Sequence, residues 1–222
     1  MSARSQTTAP GFFGKLPSHG DFVARRMPPA VRHRFDAWLQ EGLLQSRADL
    51  GEAWLPTWLS SPLWRFVAAP GVCGAQAWAG VMMPSHDRVG RCFPLLLAAA
   101  FDGAPSLLDV HAGWFEGLEA LALSVLDEDF ALDAFDAALM ALGGPPSAAA
   151  HAPLHARAAG EPRVTLVDGG DRPGSGESAW WSEGSVQVAP CLAICAGLPP
   201  RHAFAALLDG RWAVHGWDDR RP

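Results

Sequence analysis

Residues 64–101, WRFVAAPGVCGAQAWAGVMMPSHDRVGRCFPLLLAAAF, contain three short apolar runs separated by Gly, Pro and polar residues. Trp64 to Ala69 and Gln76 to Met83 read as strands joined through a Pro70-Gly71 turn. Phe93 to Phe101 reads as a third strand, apolar enough to be buried on both faces. The links between them are too short for the crossover of about a dozen residues that a parallel pair requires, so neighbouring strands are predicted to be antiparallel. Between the second and third runs lies the densest polar cluster of the chain, Ser85-His86-Asp87-Arg88 with Arg91.

Working outward toward the N-terminus, residues 1–9 are polar and predict a disordered tail. GFFGKLPSHGDFV (11–23) gives two β-prone pieces, Gly11 to Leu16 and Asp21 to Arg25, around a Pro17-Ser18-His19-Gly20 loop. Pro28-Pro29 suits a helix start, where missing N–H groups have no intrahelical partner in any case. Val31, Phe35, Trp38, Leu39 and Leu43 follow with helical spacing. A further helical turn is expected over Ser46 to Trp54, with Pro56 and Ser61-Pro62 breaking the pattern.

Toward the C-terminus, a helix is predicted from about Leu107, with Leu118, Leu121 and Val125 on its apolar face. Another opens at Asp127-Glu128, carries Phe130, Phe135 and Leu139, and stops at Gly143-Gly144-Pro145-Pro146. Residues 143–177 are rich in Ala, Gly and Pro and predict a flexible region, with Arg163 to Val167 as a strand inside it. Ala179 to Ser182 and Val186 to Ala193 read as strands, and Arg201 to Leu208 as a final helix; Trp212 and Trp217 are expected to pack back on the sheet. The fold class that follows is α+β: a single domain over residues 10–222, with a mostly antiparallel central sheet flanked by helices.

Bulk properties narrow the function classes. The 222 residues are 49% hydrophobic and 18% charged, as in soluble globular proteins. A net charge of −6 argues against nucleic-acid binding, which needs a concentrated basic face. Ten Trp and no Tyr point to large packed cores or adhesive surfaces. The polar start shows no signal peptide, and residues 93–101 fall far short of the ~20 apolar residues of a membrane span. A cytoplasmic location is therefore expected. Cys73, Cys92, Cys191 and Cys195 lack the two tight pairs of a zinc site and read as reduced, buried thiols. The Gly-rich pieces at 169–170 and 174–176 lack the Lys-Ser/Thr of a phosphate-binding loop, and no cofactor is implied.

Ser85, His86 and Asp87 are the residue types of a hydrolytic triad. Adjacent residues of an extended segment point to opposite faces, however, and no nucleophile-turn motif surrounds Ser85. A small serine hydrolase or phosphate-handling enzyme using Ser85, His86 and Asp21 or Asp87 is thus the second reading. The first is a shaped turn, in which Asp87 accepts from the backbone N–H groups of Val89 and Gly90 and projects Arg88 and Arg91 outward as forks for a carboxylate or phosphate. Pro17-Ser18-His19-Gly20-Asp21 echoes Pro84-Ser85-His86-Asp87. If the two loops meet, His19, Asp21, His86 and Asp87 are a conceivable metal set, whereas His151 and His155 lack a third ligand.

GFFGKLPSHGDFV, WAGVMMPSHDRVGRCFPL (78–95), SAWWSEG (178–184) and GLPPRHAFAALLDG (197–210) occur in an order that resembles the TagF (ImpM) family, the accessory proteins encoded with bacterial type VI secretion systems. The resemblance runs from about Gly11 to about Gly210 and carries nothing over for 143–176. It implies a cytoplasmic regulator without catalytic residues. Such proteins repress type VI secretion post-translationally, with or independently of the threonine-phosphorylation pathway, and their partner is the forkhead-associated scaffold protein of the system. Some members carry a fused protein phosphatase domain, for which these residues leave no room. The expected interaction surface comprises Lys15, Ser18, Asp21, Ser85, Asp87, Arg88 and Arg91.

Overall fold

A computed structural model describes residues 9–101, 112–145, 162–165 and 173–221. The expected tail (save Ala9), the helix start at Leu107, the Ala-rich piece and the His151/His155 pair lie outside the described residues, as does much of the region expected to be flexible.

The predicted antiparallel trio is present. β3 (Trp64–Ala68), β4 (Ala77–Met83) and β5 (Leu95–Phe101) pair in sequence order, with Phe66 opposite Gly80 and Gly80 opposite Ala98. β1 (Gly11–Gly14) joins the outer side of β5, and β2 (Val23–Arg25) forms the edge beyond it. On the other side, β3 pairs with β7 (Glu177–Ser182), which pairs with β8 (Cys191–Ala196). β6 (Arg163–Thr165) and β9 (Asp218–Asp219) complete the order β2-β1-β5-β4-β3-β7-β8-β6-β9. Every pair is antiparallel except β6 with β9.

Strand alternation divides the sheet's side chains between two cores. Phe13, Phe66, Met82, Leu96 and Trp180 face one side, where α1 (Pro29–Leu50), α2 (Trp54–Ser60) and α5 (Ala206–Asp209) cover them. Phe12, Val67, Val81, Leu97 and Trp181 face the other, under α3 (Ala112–Ser124) and α4 (Leu132–Leu142). The adjacent tryptophans show the alternation directly. Trp180 stacks on Phe66 at 4.8 Å, and Trp181 meets Phe115 of α3 edge-on at 4.9 Å. Trp212 and Trp217 are buried in the first core, as the sequence predicts.

Several boundaries differ from expectation for local reasons. Pro56 does not break a helix, because it occupies the first turn of α2, where no N–H is needed. The apolar signal of Phe130 belongs to a turn; its ring packs on Phe135 at 5.6 Å, and α4 begins only at Leu132. Val186 is in a loop closed by Ser185 N–H to Val188 O, so the strand expected over 186–193 starts at Cys191, after Pro190. Pro94 likewise delays β5 to Leu95. The final helix divides into a 3-10 turn at Arg201–Ala203 and the short α5.

β2 is secured from the second core. Arg25 donates to Asp136 at 2.8 Å and to Asp133 at 2.9 Å on α4, and Arg26 pairs with Asp136. Arg26 takes a positive φ of 56°, and its guanidinium donates twice to Pro10 O, which holds the chain as it leaves the sheet edge for α1.

Candidate functional site

The β1–β2 loop and the β4–β5 loop emerge at the same end of the sheet, because β1 and β4 both flank β5. They are fastened to each other by backbone and side chain alike. Arg88 N–H donates to His19 O at 2.9 Å, Ser85 Oγ donates to Lys15 O at 2.8 Å, and Arg91 Nη2 donates to Gly20 O at 2.6 Å. The similar Pro-Ser-His sequences are therefore neighbours in space.

Asp87 is the centre of this junction and is fully buried. Its Oδ2 accepts from Lys15 Nζ at 2.8 Å and from Arg91 Nε at 2.6 Å, while Oδ1 accepts from the N–H groups of Val89 at 3.1 Å and Arg91 at 2.9 Å. Burial alone would raise its pKa. The Lys15 ammonium, the Arg91 N–H, the Arg91 guanidinium and the Val89 N–H outweigh that and hold the carboxyl well below the usual aspartate range. The expected turn is present with one change: Gly90 N–H reaches the backbone carbonyl of Asp87, not its carboxylate. Gly90 adopts a φ of 82°, the left-handed conformation that glycine enters without steric cost.

The seven residues expected at the interaction surface are brought together, but on two levels. Lys15, Ser85 and Asp87 are buried, so they build the junction from inside and cannot be touched by a partner docking from solvent. Ser18, Asp21, Arg88 and Arg91 are exposed. Arg91 nonetheless has its Nε and Nη2 engaged internally. The Arg88 side chain has no hydrogen bond or ion pair among the described residues, and its guanidinium lies over Gly20.

The trio Ser85, His86 and Asp87 is not arranged as a nucleophile relay. The Ser85 hydroxyl is committed to Lys15 O, His86 Nδ1 pairs with the Asp87 backbone carbonyl at 2.9 Å, and the Asp87 carboxylate faces cations. With both carboxylate oxygens of Asp87 occupied by donors, the His19, Asp21, His86 and Asp87 set does not form a metal centre. Among the described residues, no group of three His, Cys, Asp or Glu is placed to hold an ion. Burial raises the thiols of Cys73, Cys191 and Cys195 to about 12, so they pack as small hydrophobes.

Sequence reasoning missed Phe22. Its ring is 47% exposed, yet it stacks on Phe13 at 5.5 Å, meets Phe93 edge-on at 4.8 Å, and has Lys15 Nζ 5.2 Å from its centroid. A strand pattern marks such a residue only as apolar; that it stands half in solvent beside the cations depends on the loop pairing.

A model of the TagF N-terminal domain, described as type VI secretion system-associated, matches residues 11–142. The chain belongs to this family. The match contains both loops of the junction and the strands that carry them, so the TagF domain proper includes the whole site. The TagF chain is also similar to the crystal structure of PA0076 from Pseudomonas aeruginosa PAO1, at 37% identity and a TM-score of 0.75, covering 91% of this chain and 94% of that one. That likeness extends beyond the family match into β6–β9. No match was found among curated proteins. The protein is accordingly a type VI secretion system accessory protein of the TagF family. No helix among the described residues is long and apolar enough to cross a membrane.

Proposed function

We propose that this TagF-family protein is a cytoplasmic, post-translational negative regulator of type VI secretion that acts by binding the forkhead-associated scaffold protein of the system. The contact surface is the exposed rim of the loop junction: Ser18, Asp21, Arg88 and Arg91. Lys15, Ser85 and Asp87 hold that rim in shape, and the reading assigns no catalytic residue.

The observation that supports it best is the unpaired Arg88 guanidinium, presented on a loop pair that is rigidly fastened from beneath. In a chain with net charge −6, a guanidinium without an ion pair among the described residues is available to an acidic partner group. Rim charges contribute to the rate and specificity of encounter, and buried supports to the geometry of the rim.

The structure also selects the test. Reversal at Arg91 would set a carboxylate against Asp87 and disturb the fold, so Arg88→Glu is the informative substitution. It is expected to abolish capture of the scaffold protein in a pull-down while leaving the melting temperature unchanged. Undiminished capture would overturn the surface assignment.

A further inference from the structure

Resting on the reading just given, we infer that the rim recognises a short partner segment in which one carboxylate side chain stands beside a large apolar one. Arg88 takes the carboxylate and Phe22 takes the apolar side chain.

The geometry supplies both halves. The Phe22 ring is 47% exposed but fixed from behind by Phe13 and Phe93, both buried, so binding against it orders little that is not already ordered. Arg88 lies across Gly20, two residues before Phe22 in the same loop, with its nearer nitrogen 3.7 Å from where a Gly20 Cβ would stand. Val89 follows Arg88 on the same turn and is 69% exposed, a second apolar side chain open to solvent at the junction. An exposed apolar residue alone needs no explanation. Here, however, a rigid aromatic ring and an unengaged guanidinium belong to loops tied together by the Arg88–His19 and Arg91–Gly20 bonds.

Charge decides the class of ligand. The exposed rim carries Arg88 and Arg91 against the single carboxylate of Asp21, and beneath it Lys15 balances Asp87, so the rim is positive on an acidic protein. Lys15 and Arg91 are committed to Asp87, which leaves Arg88 as the one open fork of the junction. One guanidinium fork pairs bidentately with a carboxylate or a phosphate, but its single charge balances a carboxylate and leaves a phosphate dianion half neutralised, with Lys15 and Arg91 already committed to Asp87. Glu or Asp adjacent to Leu, Ile or Phe is the chemistry that fits.

The inference is tested by selecting binders from a random, unphosphorylated peptide display library on the intact chain. The expected result is enrichment of sequences with an acidic residue next to a large apolar one. Their affinity falls about tenfold in Phe22→Ser, in Val89→Ser and in Arg88→Glu. Only Arg88→Glu flattens the dependence on salt. Because Phe22 also packs on Phe13, the uncharged Val89→Ser keeps the apolar half testable if Phe22→Ser is unstable. Selected sequences without acids, or affinities that neither apolar-side variant changes, overturn the inference. Binding about tenfold tighter with phosphoserine in place of the acid overturns the carboxylate assignment. If the scaffold protein fails to bind while the peptides behave as expected, the partner reading fails and the inference stands. If the scaffold protein binds through Arg88 but ignores Phe22 and Val89, the reverse holds.

Discussion

Gly80 lies at the middle of β4, opposite Phe66 on one side and Ala98 on the other, and Gly80→Ala probes how closely the two strands bearing the junction approach. A Cβ at this position would stand 2.0 Å from Leu97 O and 2.9 Å from Ala98 Cα. Both are backbone atoms of β5, so no rotamer change relieves the overlap and the strands must part. Overpacking a well-filled core costs about 1–3 kcal/mol, and a backbone clash places this substitution near the top of that range, at about 3 kcal/mol. For a chain of this length each kcal/mol moves the thermal midpoint by about 2–4 °C, so a drop of roughly 6–12 °C is expected. The assay is thermal and urea unfolding of the two proteins, with the urea slope showing whether the unfolded state has changed. Gly113→Ala on the exposed surface of α3, where an added Cβ meets nothing within 4 Å, is the control and should leave stability unchanged or raise it by up to about 1 kcal/mol. A Gly80→Ala midpoint within about 2 °C of the parent, at an unchanged urea slope, would refute the close approach of β4 and β5.

Other outcomes follow from the buried groups. The Asp87 carboxyl is held below its ordinary value of 3.8 in the folded protein, so its contribution to stability is fully present above that value and is lost only as pH falls below it. Asp87→Asn should therefore lower the melting temperature at neutral pH, with the gap to the parent closing in strong acid; a gap independent of pH would argue against an ionised Asp87. With Cys73, Cys191 and Cys195 buried and raised to about 12, a thiol reagent on the native protein should modify at most the half-buried Cys92, while denaturant exposes all four. Rapid native labelling of more than one thiol would contradict the packing. Trp180→Ala removes the ring between Phe66 and Trp38 and should cost about 3–5 kcal/mol by urea titration; a cost under about 1 kcal/mol would mean the first core is not organised around it.

Much of the architecture was legible along the chain because it rests on local rules. Trp180-Trp181 in a strand puts one indole on each face of the sheet, since adjacent strand residues point to opposite sides, and the structure covers both faces with helices. The short links around Pro70-Gly71 and Arg88 to Arg91 required antiparallel neighbours, and these are observed. Boundaries slipped where one side chain fitted two local states. Phe130 has the spacing of a helical residue but packs from a turn, and Val186 has strand propensity but sits at 96% exposure in a loop. Pro56 reads as a breaker unless the first turn of α2 is already known.

The loop junction divides in the same way. By itself, the sequence determined that Asp87 and Gly90 build a turn and that adjacent Ser, His and Asp make a poor triad, because both conclusions need only backbone geometry within a few residues. It also contained the motifs of the TagF family. Only the tertiary structure decided that the Ser18 and Ser85 loops meet, that Lys15 pairs with Asp87 across 72 positions of chain, that Arg88 is the cation of the junction left unengaged among the described residues, and that Phe22 stands half in solvent beside Lys15. Those facts depend on β1 and β4 flanking the same strand. That pairing is set by the burial of whole sheet faces under helices far away in the chain, and no local pattern of residues encodes it.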